Sequence, residues 1–372
     1  MTEPLFVFGP LAWPPLLEEI VGAGAAQAAP VATARGHVLT CDPDNPFDLP
    51  GIVPGDGAVA GVLVSSEVDV VRLEFVAAAL LATGWRTILL ERKDGSTFQA
   101  KTCCGHPGPG AWHLTEWLAH GGEVMRVAVQ EVIGLMGHRP AEDVALHLPI
   151  VLSRAAARIA ARVGVPADLR SDTASDTVLT LACDTLHAGF FLTRGYSLRH
   201  PRFDGTMSPE MRREVFVATD AALVLPYDPL RDRVMLVEQF RMGPFGRGDP
   251  RPWMLEPVAG RIDPGETPEE TARRECIEEA GLPLRALEKI STHYCTPGYS
   301  TEVFHLFLGL CDLPDMREGR GGLASEHEDI RTHVVDFDRA MALLESGEAN
   351  NGPLVLSLFW LQRERARLRA SA

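Results

Sequence analysis

Three glutamates, Glu275, Glu278 and Glu279, stand at i, i+3 and i+4 of one short segment. In a helix that spacing gathers the carboxylates on one side, where each solvated pair costs roughly 0.2–0.5 kcal/mol. A cation has to compensate. Hard oxygen ligands in this arrangement suit Mg2+, which keeps several waters and bridges carboxylates to substrate phosphates. The plainer alternative is a solvated acidic face paired to Arg273 and Arg274, and for an acidic triplet alone that is the commoner case.

The element that must hold these groups is sharply punctuated. Thr267 and Glu270 form a capping box, Pro268 suits the first helical position, and Gly281 ends the helix in a left-handed conformation. The spacing predicts a helix over 268–280, with Ala272, Cys276 and Ala280 as its apolar stripe and the three glutamates opposite.

The wider pattern decides between the two readings. Gly260, Glu266, Arg274-Glu275, Glu278-Glu279 and Gly281-Leu282 fall at the spacing of the Nudix box, and the segment resembles that box at every charged and glycine position. Cys276 alone departs, standing where the family usually has a bulky aliphatic residue. Cysteine behaves as a small hydrophobe, so this concerns packing.

The resemblance runs over roughly 185–368 and is closest to bacterial ADP-ribose pyrophosphatases. It implies that Phe190 and Phe191 of Gly189-Phe190-Phe191 lie against adenine, and that Arg213 and Arg241 hold the substrate, with Arg261 within reach of it. Stacking of this kind is worth about 1–3 kcal/mol per base, and arginine forks suit pyrophosphate and ribose oxygens. It further implies metal ligands at the Ala259 carbonyl, Glu275, Glu279 and Glu328, with Glu326 as the general base. Both Glu326 and Glu328 are expected on a loop after the glycine-rich run Gly319 to Gly322, from which a base could swing in on closure. Pro297, in Thr296-Pro297-Gly298, stands where such members have a proline after the box.

The implied reaction is Mg2+-dependent hydrolysis of ADP-ribose to AMP and ribose 5-phosphate, with two or three Mg2+ ions and Mn2+ as a possible substitute. Another nucleoside-diphosphate sugar is the alternative substrate, and a non-catalytic ADP-ribose sensor the alternative role. The subfamily implies a homodimer with shared sites.

At 372 residues and 46% hydrophobic, the chain suits two domains. A net charge of −15 without a basic stripe argues against nucleic acid. Seven cysteines without paired spacing fit a reducing cytoplasm, and no apolar run long enough to span a membrane is present. Residues 1 to about 110 alternate apolar runs with Pro/Gly turns and predict a sheet-rich α+β fold; helical periodicity follows from Trp112 to Val163, broken near Gly121-Gly122 and again at Gly137 to Pro140. Polar, aperiodic Val165 to Asp176 reads as a linker. The expected domains are 1–165, the linker 166–176, and 177–372 as a Nudix α/β/α sandwich, with strands near 302–311 and 330–335 and a final helix from Leu354 to Leu368.

Leu5-Phe6-Val7-Phe8-Gly9-Pro10-Leu11 with Gly61-Val62-Leu63 resembles the gamma-glutamylcyclotransferase-like family over roughly 4–105. Pro10 stands where that family usually has threonine. Aligned on Arg72 to Ala77, the acid/base position is Ala77, and Glu74 falls at a neighbouring acidic position. Alanine cannot shuttle a proton, so this domain is expected to be catalytically dead. Proteins of this organisation are sometimes labelled tellurite-resistance proteins.

Overall fold

The run Leu5–Phe8 is buried at every residue and forms strand β1 of a computed structural model that describes residues 3–171, 173–315, 318–322 and 329–372. Helices α1 (Pro14–Val21) and α2 (Ala23–Ala28) follow, then the long hairpin of β2 (Val31–Cys41) and β3 (Gly51–Val64). After α3 (Glu67–Ala79) come β4 (Gly84–Glu91), β5 (Thr97–Cys104) and β6 (Gly110–Ala111). The strand order is β3-β1-β5-β4-β2-β6, with β3 also pairing β2, so five strands close on themselves. Helices α4 (Leu114–Trp117), α5 (Glu123–Leu135), α6 (Ala141–Leu146) and α7 (Leu148–Ala160) complete this part. The helix does not break at Gly121-Gly122 as expected; it loosens into a π-type turn, Leu118–Gly122, that runs directly into α5. Gly122 there lies against the Leu118 and Trp117 side chains of the preceding turn, at an ordinary helical φ of −57°.

Strands β7 (Leu179–Ala188), β8 (Leu192–Arg199) and β9 (Met211–Val217) form a separate antiparallel sheet. The chain divides into two compact units, Met1–Val217 and Ala218–Ala372. This differs from the sequence division at 166–176, and the reason is hydrophobic. Leu192 and its cross-strand partner Val217 are buried in the core of the first unit, with Ala188 and Val215 packed against it.

The second unit holds β10 (Ala221–Asp228), β11 (Arg233–Phe240), α8 (Met242–Arg247), β12 (Trp253–Glu256), β13 (Val258–Arg261), α9 (Pro268–Ala280), β14 (Ala286–Tyr294), β15 (Val303–Leu310), β16 (Glu318–Gly321), β17 (Ile330–Asp336), α10 (Phe337–Ser346) and α11 (Gly352–Ala370). Its sheet runs β14-β15-β10-β11-β17-β16, with β12 added to β11 and β13 to β10; β10 and β15 are parallel. Alternate residues of β10 serve opposite faces. Ala222 and Val224 pack with Ala272 and Cys276 of α9, whereas Leu225 and Tyr227 pack with α10 and α11. The unit is therefore an α/β/α sandwich.

Asp232, in the β10–β11 turn at φ 56°, ties α11 to the sheet. It accepts hydrogen bonds from the Tyr227 hydroxyl at 2.7 Å and from Arg369 at 3.0 Å, and pairs with Arg365. Burial pushes its carboxyl up, but the bonds from Arg365 and Tyr227 outweigh this and hold it below the usual carboxylate range. A depressed folded pKa gives stability that is complete above the unfolded value of about 3.9 and is lost as pH falls through the folded one. Asp232→Asn is therefore expected to melt below wild type at pH 7, with the gap shrinking below about pH 4. An unchanged gap across that range in thermal melts at several pH values would contradict the assignment.

Candidate metal and substrate site

Helix α9 forms as its punctuation requires. Thr267 accepts from the Glu270 N–H while the Glu270 carboxylate accepts from the Thr267 N–H, Pro268 opens the helix, and Gly281 closes it at φ 63°. What the spacing did not convey is how differently the three glutamates are placed. Glu278 is partly exposed, but Glu279 is only 1% exposed and is buried with Ala272 and Cys276. The three do not form one solvated face.

The compensating cation is Arg274. Its Nε and Nη2 donate to the two oxygens of Glu266 at 2.8 and 2.9 Å. Nη1 reaches Glu275 at 2.7 Å and Glu278 at 2.9 Å, and Nη2 also lies 3.3 Å from the Arg261 carbonyl. These bonds, with Glu266 the strongest contributor, raise the guanidinium pKa further above its ordinary value. Reciprocally, Arg274 beside Glu266 holds that carboxyl below the usual range, with help from the Thr271 hydroxyl. Arg273 plays no part in this; it donates to the Leu284 carbonyl at 2.8 Å.

Helix α9 and strand β13 meet through a glycine. A Cβ on Gly260 would overlap the Glu275 carboxylate, so only a bare backbone lets that side chain lie against the strand. The Ala259 N–H donates to Glu279 at 3.3 Å. Glu275, Glu279 and the main chain at Ala259-Gly260 thus come together at one place. The donor chemistry, carboxylate and peptide oxygens, fits a hard divalent cation. Among the described residues, no three His, Cys, Asp or Glu side chains converge as a metal cluster. Of the other expected ligands, Ala259 would contribute main chain, and Glu328 lies outside the described residues, as does Glu326. Of the glycine-rich run before them, Gly319 to Gly321 lie in β16. Gly319 pairs with Thr332 and Gly321 with Ile330, and Gly321 lies so close to α9 that a Cβ there would overlap the Glu279 carbonyl.

Arg241 caps the start of α8 at the end of β11, and Arg261 ends β13 with its Nε 3.5 Å from Asp263. Both belong to the second unit. Phe190 and Phe191 are exposed at the turn of the β7–β8 hairpin, ring centroids 5.0 Å apart, and Phe191 leans on Phe216 at 4.9 Å. Arg213 is exposed on β9, opposite Tyr196. These three belong to the first unit. Sequence reading missed Glu256, a buried acid at the end of β12 that binds Arg241. A lone glutamate in an otherwise apolar strand was the available signal.

The fold and the α9 site define a Nudix protein: the NUDIX domain model matches residues 218–358, and the chain belongs to the Nudix family. Among its relatives, the ADP-ribose pyrophosphatase of Escherichia coli (strain K12) is 42% identical over 189 residues, covering 51% of this chain and 90% of that protein. The ADP-ribose pyrophosphatase of Haemophilus influenzae is 39% identical over 189 residues, 50% of this chain and 87% of that one. A GDP-mannose pyrophosphatase of Salmonella paratyphi B is 31% identical over 186 residues, 50% and 95% of the respective chains.

Proposed function

We propose that the chain hydrolyses the pyrophosphate of ADP-ribose, in a Mg2+-dependent reaction, to AMP and ribose 5-phosphate. The observation that carries this reading is the packing of α9 on β13, where Gly260 admits the Glu275 carboxylate beside the nearly inaccessible Glu279. Identity to ADP-ribose pyrophosphatases exceeds that to the GDP-mannose enzyme and supports the substrate.

Glu275, Glu279, Glu328 and the Ala259 carbonyl would hold two or three ions. Bound Mg2+ supplies charge neutralisation at the pyrophosphate and acidifies the attacking water. Glu326 takes the proton as water adds to the adenosyl phosphorus and the bond to the ribose phosphate oxygen breaks. Arg241 and Arg261 of the second unit hold phosphate and ribose oxygens. Arg274 keeps Glu266 charged and holds Glu275 and Glu278 in place.

The relatives' 189-residue match is longer than the second unit, so it takes in part of the β7–β9 sheet. This supports a Nudix domain that begins before the second unit, which we read as 177–372 after the 166–176 linker; the family resemblance is the ground for a homodimer. The first 165 residues we read as cyclotransferase-like and catalytically silent: Ala77 is wholly buried and Glu74 is engaged by Lys101 at 2.5 Å.

AMP release from ADP-ribose with Mg2+ should be robust, vanish with EDTA, and return with Mg2+ or Mn2+. ADP-glucose and GDP-mannose, offered in competition, should be turned over at least about tenfold less efficiently, a difference of ~1.4 kcal/mol in transition-state binding. Equal turnover of GDP-mannose would move the substrate assignment, and tight ADP-ribose binding without turnover would make the chain a sensor.

A further inference from the structure

We infer that Glu256 is a positioning residue for Arg241, holding its guanidinium from behind for the substrate; this rests on the proposed role of Arg241 at the pyrophosphate or ribose. Glu256 ends β12 and is buried. A carboxylate there carries a desolvation cost that only specific partners offset. It has two, on different elements. One oxygen accepts from Arg241 Nε at 2.8 Å and Nη2 at 2.7 Å. The other accepts from Asn351 Nδ2 at 2.9 Å.

Asn351 is itself fixed. Its own side-chain oxygen accepts from the Leu354 N–H at 3.1 Å and caps α11, the longest helix of the unit. The main chain of Arg241 is fixed separately, by its N–H donating to the Pro252 carbonyl at 2.9 Å. The guanidinium is thus held at both ends of its side chain. An arginine has five N–H donors in a planar fork. Two are spent on Glu256, so three remain, including both on Nη1, on a side chain that is 40% exposed. Fixing that plane in advance removes rotamer freedom that binding would otherwise have to remove. The charge of Glu256 also balances Arg241 when no anion is bound, so the arginine need not seek another partner.

The test is a double-mutant cycle on the full chain, with ADP-ribose binding measured by calorimetry in EDTA and turnover measured separately with Mg2+. Glu256→Gln keeps size and the Asn351 partnership but removes the charge. Glu256→Gln and Arg241→Ala are each expected to weaken ADP-ribose binding by about tenfold or more, the worth of one charge-assisted hydrogen bond. The double variant should bind no more weakly than Arg241→Ala alone, and Glu256→Gln should raise KM while leaving kcat within about twofold. Full additivity in the double variant, or wild-type affinity in Glu256→Gln with only a lowered Tm, would show Glu256 to be structural and overturn the inference. Wild type that binds but does not hydrolyse would refute the proposed reaction while the cycle still decides on Glu256. Wild type that shows neither ADP-ribose binding nor Mg2+-dependent turnover sinks both.

Discussion

Glu279→Gln is expected to lower kcat for ADP-ribose by on the order of 10²–10³-fold while leaving the protein folded. The substitution is nearly isosteric, and an amide oxygen can still accept the Ala259 N–H that Glu279 accepts at 3.3 Å. What it removes is the negative charge, at a position only 1% exposed. In such surroundings a carboxylate interacts with a divalent cation far more strongly than in water. Metal assistance is worth several kcal/mol at a phosphoryl transition state, and losing about 3–4 kcal/mol gives the stated range. The second readout is stability. A ligand that binds only the folded state raises stability by about 2.7 kcal/mol at a hundred times its Kd. Mg2+ should therefore raise the Tm of wild type, and this rise should shrink sharply in Glu279→Gln. Turnover within a few-fold of wild type together with an undiminished Mg2+ shift would place the metal elsewhere.

Residue spacing conveyed α9 completely in its local aspects, because caps and terminators act within one turn: Thr267, Pro268, Glu270 and Gly281 do what their types dictate. Spacing misjudged Glu279 for a reason that is also local. Position 279 lies four residues from Glu275 but also three from Cys276 and seven from Ala272, so it falls on the edge of the apolar stripe as well as beside the acids. Segments outside the helix decide that this edge is covered: the Ala259 N–H of β13 donates to the Glu279 carboxylate, and Gly321 of β16 lies against its main chain.

Other features depend on contacts between segments far apart in the chain. Glu256 meets Arg241 and Asn351 across 15 and 95 residues, and Asp232 meets Arg365 across 133. No periodicity encodes such pairings. The division of the chain is of the same kind: the aperiodic stretch at 165–176 is visible in the sequence, but the burial of Leu192 and Val217 in the first unit's core is not.

Gly321→Ala is expected to cost about 3 kcal/mol of stability in the second unit and to lower turnover at least tenfold, although what a Cβ at 321 would meet first is main chain. Strand β16 pairs with β17 along one edge, and at Gly321 it approaches the C-terminal turn of α9 so closely that a Cβ would overlap the Glu279 carbonyl oxygen. That obstacle is main chain and cannot rotate away, so either β16 must leave α9 or the last turn of α9 must shift. Overpacking of this sort typically costs about 1–3 kcal/mol and more when backbone is involved. Activity suffers for a separate reason: the shifted turn carries Glu279, and β16 leads directly into the segment containing Glu326 and Glu328. Gly319→Ala provides the control, since a Cβ there meets the Thr332 hydroxyl at 2.6 Å, the end of a side chain that can turn aside. It should cost about 1 kcal/mol, within the ordinary range for a point substitution, and leave turnover close to wild type. The two glycines lie on the same short strand and pair with the same neighbour. Equal effects on melting temperature and kcat would therefore mean that general strand propensity, and not the approach to α9, accounts for Gly321.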